Sequence, residues 1–116
     1  ASLAYLVTME WAQANGSVTA ELGARFEDSL RALAAEFPQA LSGVDGWRHM
    51  STLCFRDLAK AEAFARELNR RGLDISTQTY KADCPPVVLM KVPLIADQVV
   101  LDFVVGAMRD VLKGLA

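Results

Sequence analysis

Very few residues in this chain of 116 could carry out chemistry. It has one histidine, His49, and two cysteines, Cys54 and Cys84. A lone histidine without a Cys/His cluster argues against a zinc site. Thirty positions separate the two thiols, which is not a metal-ligand spacing, and two cysteines do not make a secreted disulfide scaffold. No excess of basic charge exists either. The formal net charge is −2, so the electrostatic footprint of a direct nucleic-acid binder is missing, whereas mild acidity suits a basic protein partner. The sequence contains no G-x-G-x-x-G, Walker loop, G-x-S-x-G or H-E-x-x-H. No cofactor is therefore expected. The first residues, ASLAYLVTMEW, lack the basic n-region of a signal peptide, which with the sparse cysteines points to a reducing cytoplasm. The apolar stretch from Val99 to Leu115 is broken by Asp102, Arg109, Asp110 and Lys113, so no membrane span is expected.

Apolar side chains are what the chain does have. Hydrophobic residues make up 53% and charged residues 22%, enough for one folded domain over residues 1–116. From Leu3 to Trp11 the apolar residues alternate, predicting a half-buried strand. Asn15-Gly16 has turn chemistry. Val18, Leu22, Phe26, Leu30, Leu33 and Phe37 then step along one face of a helix, capped by Ser17 or Thr19 and stopped by Pro38. On its solvent side Glu21–Arg25 and Glu27–Arg31 form i,i+4 pairs. Gln39 to Gly46 is predicted as a loop and Trp47 to Phe55 as a strand.

Asp57 is placed to cap a second helix, with Leu58, Ala61, Phe64, Ala65 and Leu68 as its buried stripe. Asn69-Arg70-Arg71-Gly72-Leu73 has the wording of a Schellman terminus. Strands are predicted from Leu73 to Tyr80 and from Val87 to Val92, the second placed centrally because it is nearly all apolar. Asp97 caps a last helix reaching about Lys113. The resulting order, β-α-β-α-β-β-α, predicts a ferredoxin-like α+β fold with a four-stranded, mostly antiparallel sheet. Its second part reads as a split βαβ unit, which the N-terminal strand would complete.

Most candidate functional residues have a plain structural reading. His49 has no nucleophile at a recognisable spacing, so a structural or merely exposed role is favoured over catalysis. Cys54 reads as a small buried hydrophobe. Cys84, in a loop, has no adjacent cation to activate it and reads as inert. The last helix is different. At 100° per residue its apolar side chains cover about 200° of the circumference, wider than a sheet requires. The first helix is expected to cover the surplus, and the alternative is a dimer or partner surface. Asp45, Trp47, Tyr80 and Asp83 flank loops at predicted strand ends, where acidic and aromatic groups suit a protein interface.

The segment AEAFARELNRRGLDIS, followed by VVLMKVPL and a long helix, resembles the ribonuclease E inhibitor (RraB-like) family, and Asp45-Gly46-Trp47 is similar to a triplet found there. The resemblance spans about residues 45–112 and implies a small α+β protein that binds and inhibits another protein. YLVTMEW, RFEDSLRALAAEFP and GWRHMSTLCF resemble dimeric α+β barrel domains of the antibiotic-biosynthesis monooxygenase kind, which implies an enzyme or ligand-binding domain using His49. In profile the chain is similar to bacterial immunity proteins of contact-dependent growth inhibition systems. The expectation is a cytoplasmic, non-enzymatic protein that occludes the active site of a cognate toxin or nuclease through Asp45, Trp47, Tyr80 and Asp83. Neither direct nucleic-acid contact nor membrane contact is expected, and a homodimer through the last helix is the further expectation.

Overall fold

Helices open the structure. The computed structural model describes residues 2–79 and 85–115, and its first element is a helix, α1, over Ser2–Ala14. The predicted N-terminal strand is therefore corrected. The alternation Leu3, Tyr5, Val7, Met9, Trp11 is genuine, but Ala4 and Leu6 fill intervening positions, so the segment is apolar all round. Alanine, leucine, methionine, glutamate and glutamine are good helix formers, and no sheet neighbour is present to favour a strand. Asn15 joins α1 to α2, Gly16–Glu36, with its side-chain amide donating to the Trp11 carbonyl at 2.9 Å. Neither Ser17 nor Thr19 is the cap. In α2 the side chains of Phe26, Leu30 and Leu33 are buried, while Val18 is exposed.

The segment expected to be a loop after Pro38 contains strand β1, Leu41–Asp45, and the expected strand from Trp47 is broken by a 3-10 turn at Arg48–Met50 before β2, Thr52–Phe55. Gly43 concealed β1, because a bulge between Leu41 and Gly43 interrupts the period-two pattern. Next come α3, Leu58–Arg70, β3, Ser76–Gln78, β4, Val87–Leu89, and α4, Gln98–Leu115. The observed order is α-α-β-β-α-β-β-α. All pairings in the four-stranded sheet β1-β2-β4-β3 are antiparallel. The α+β class and the antiparallel sheet agree with the sequence reading, and β4 lies centrally as expected. The fourth strand, however, is β1 rather than an N-terminal strand.

The ends of α3 follow the sequence closely. The Asp57 carboxylate accepts the Lys60 N–H at 3.1 Å. At the other end Leu73 N–H donates to Leu68 C=O and Gly72 N–H to Asn69 C=O, both at 3.0 Å, which is the Schellman pair of bonds. Gly72 has φ +88°, a conformation that penalises a side chain. Asp97 likewise accepts the Val100 N–H at 3.0 Å and starts α4.

Side chains from the sheet and from α2, α3 and α4 share one core. Leu41, Leu53, Phe55 and Val88 meet α2 and α3 across one face of the sheet, and Phe55 and Phe64 rings lie 5.1 Å apart. Phe26, Phe55 and Phe64 are at most 1% exposed, and burying each contributes about 1.5–3 kcal/mol. Helix α4 lies across α3 and α2 and so forms a second helical layer. Among the described residues, no helix is long and apolar enough to cross a membrane.

Candidate functional site

The most tightly specified local structure outside the core is the turn between β1 and β2. Arg48 has φ +53°, the sole positive value for a non-glycine among the described residues. Such a conformation is held only where its surroundings over-determine it. Here Glu27 of α2 does so. Its carboxylate accepts the Arg48 backbone N–H at 2.9 Å and lies 3.7 Å from the Arg48 guanidinium. The same carboxylate binds Arg31 at 3.2 Å. Glu27 is therefore not on the solvent side, as the helical pairing suggested, but only 8% exposed. The Arg48 N–H, before either guanidinium, holds its carboxyl below the usual carboxylate range.

His49 completes the clasp. The imidazole packs on α2 where Gly23 leaves room, and a Cβ at Gly23 would come within 2.8 Å of Nδ1 and 2.9 Å of the Arg48 Cβ. His49 is 7% exposed, and its Nε2 has no hydrogen-bond partner among the described residues. Burial alone pushes its pKa below the ordinary histidine value. Of the structural and merely exposed roles expected for His49, its burial leaves the first. Among the surface cavities formed by described residues are five open ones of about 320–370 Å³, none of them lined by His49.

Of the four residues expected to meet a partner, Asp45 and Trp47 fall on this turn. Asp45 is exposed and accepts the Gly46 N–H at 2.8 Å. Trp47 is 67% exposed, with the Arg48 guanidinium 4.8 Å from its ring centre, within cation–π range. Tyr80 and Asp83 lie outside the described residues, as does Cys84, so their expected grouping with Asp45 and Trp47 has no geometry here. Cys54 is buried as expected, and burial followed by the Asp45 charge raises its thiol pKa. Gly23 and Arg48 carry no functional signal in the sequence, and Glu27 reads there only as half of a solvent-side ion pair. A signal was present for Glu27, which follows Phe26 on the edge of the stripe that continues to Leu30 and Leu33.

Two features leave the domain open to covering. The sheet face opposite α2 and α3 presents Thr52, Cys54, Val87 and Leu89, which with Met50 and Asp45 line a shallow groove of about 360 Å³. On the helical side, α1 buries no residue, with Leu3 at 75% exposure, and the α4 side exposes Ile95, Val99 and Phe103. The surplus apolar surface of α4 is thus only partly covered by the other helices.

This architecture, two hairpins in one antiparallel sheet backed by helices, is that of a segment found within aminotransferases. It is similar to lysine aminotransferase from M. tuberculosis in its internal aldimine form (TM-score 0.79, 21% identity, covering 94% of this chain and 24% of that one). It is also similar to a Bacillus anthracis aminotransferase (TM-score 0.80, 16% identity, 94% and 27%) and to a phospholyase from Arthrobacter in complex with phosphoethanolamine (TM-score 0.82, 17% identity, 96% and 28%). At these identities the likeness is one of fold. The chain spans about a quarter of the length of these enzymes. No protein-family model matches the sequence, and no curated protein does.

An internal aldimine joins a lysine amine to an aldehyde cofactor, and a lysine poised for this is desolvated in its site. The described lysines of this chain are Lys60, Lys91 and Lys113. Lys91 and Lys113 are exposed, and Lys60 is half-buried. Lys60 and Lys91 border open cavities of about 370 and 350 Å³, beside Glu36 and Asp74 respectively. None of the three is enclosed by apolar groups, and Lys81 lies outside the described residues.

Proposed function

We propose that this domain is the smaller lobe of an aminotransferase-like assembly, a structural and docking module whose larger partner lobe carries the reacting groups. The observation that carries this reading is the near-complete match of the fold to about a quarter of each such enzyme, at TM-scores of 0.79–0.82. The uncovered groove around Cys54 and the exposed apolar residues of α1 and α4 supply surface for a larger lobe to cover. In this reading the domain shapes and encloses the site while the larger lobe touches the reacting atoms.

Affinity capture of the chain from its native host, followed by borohydride reduction, tests the reading. The expected companion, whether a separate protein or more of the same polypeptide, carries a borohydride-reducible cofactor imine. Its aminotransferase activity falls when the domain is removed. Capture of a nuclease or toxin that the chain silences would overturn the reading. That outcome would favour the second reading, an immunity-type inhibitor, whose support is the exposed Trp47 and Asp45 on a rigid turn.

A further inference from the structure

We propose that the clasp of the Arg48–Met50 turn on α2 is a proton-operated latch, closed while His49 is neutral and opened when its imidazole takes up a proton. The inference is independent of the function proposed above and rests on four features of one contact. The imidazole is almost wholly buried against the Gly23 backbone, with no space for even a methyl group between them. Its Nε2 has no partner among the described residues. A protonated imidazole must carry N–H on both nitrogens, so it cannot avoid an Nε2–H buried without an acceptor, whereas the neutral ring can place its one N–H on Nδ1. Arg48 is held at φ +53°, a conformation that favours moving away once the clasp loosens. The Met50 N–H donates to the Trp47 carbonyl at 2.9 Å and the Ser51 N–H to the Arg48 carbonyl at 3.1 Å, so the turn moves as a unit, and opening breaks its one backbone tie to the Glu27 carboxylate.

The charged groups of the clasp are Glu27 and Arg31 of α2 and Arg48 of the turn, with Asp45 at the end of β1, and burial, not any of these charges, sets the His49 shift. Glu27 is tied to both arginines, and its carboxyl, held below its ordinary value of 4.5, stays ionised throughout the range from pH 5 to 7.5. His49, the single histidine of the chain, is left as the switching group in that range. The buried imidazole titrates below its free value of 6.5. The closed latch is thus fully stable above about pH 6.5 and weakens as pH falls through that value, because the open state binds the proton first. Opening would carry Trp47 and Met50 with the turn and widen the groove that Met50 and Asp45 border.

Trp47 is a built-in reporter. Changing the other tryptophan, Trp11→Phe, leaves its emission alone. Between pH 7.5 and 5 that emission is expected to follow a single-proton transition with its midpoint below 6.5. Amide exchange across residues 48–51, corrected for intrinsic rate, should rise by up to about tenfold per pH unit, the limit for one proton. His49→Phe should abolish the transition. Gly23→Ala, whose Cβ would meet Nδ1, should show the open signal already at pH 7.5 and no transition, and alanine favours the α2 helix. A transition that survives in either variant overturns the latch. So does an imidazole ring, followed by NMR in the unaltered chain, that titrates without change in the Trp47 signal. The NMR measurement and Gly23→Ala decide the matter even where His49→Phe does not fold.

Discussion

Helices α1 and α3 are each 13 residues long, yet their situations are opposite. Helix α3 is capped at both ends and buries Ala61, Phe64, Ala65 and Leu68 along one face. Helix α1 has more apolar side chains and buries none. Apolar content therefore does not place a helix in the core. Segregation of that content to one face, with caps that fix where the helix starts and stops, does. The apolar girth of α1 suits a helix covered on several sides.

Three substitutions sharpen that contrast. The largest effect is expected from Phe64→Ala, which empties the centre of the contact with Phe55 and should lower unfolding free energy by about 3–5 kcal/mol in urea denaturation. Gly72→Ala, at φ +88°, should lower it by about 1–2 kcal/mol through backbone strain alone, leaving the α3 packing intact. Leu6→Ser in α1 should change stability by less than about 0.5 kcal/mol in the isolated chain. A much larger loss at Leu6 would mean that α1 packs onto the domain in solution, and the contrast with α3 would fail.

The same contrast explains what could be read in advance. Helices α2, α3 and α4 were legible because burial imposes a period and local chemistry marks the ends, at Asp57, Gly72 and Asp97. Strand β4 was legible because a central strand is apolar on both faces. Helix α1 was misread because an unburied segment has no face to register, so its alternation carried no structural meaning. Strand β1 was hidden by Gly43 and its bulge, and the Arg48–Met50 turn by a backbone conformation that arginine rarely adopts. The clasp joins Gly23 and Glu27 to residues more than twenty positions later, and no local pattern signals such a pairing. Asp45, expected in a loop, ends β1, and Trp47, expected to begin a strand, precedes the Arg48–Met50 turn; both are exposed.

The order β1-β2-β4-β3 also bears on how the chain assembles. Strands β1 and β2 are neighbours in sequence, as are β3 and β4, so each pair can zip from nearby residues. The two halves join only along β2 and β4, through Leu53 with Val88, Cys54 with Val87, and the Phe55 N–H to the Pro86 carbonyl at 2.8 Å. Helix α3 and β3 must be looped out before this seam closes. Closing it carries the largest loop-closure cost in the sheet, so mutations along it are expected to slow refolding more than they hasten unfolding in stopped-flow measurements.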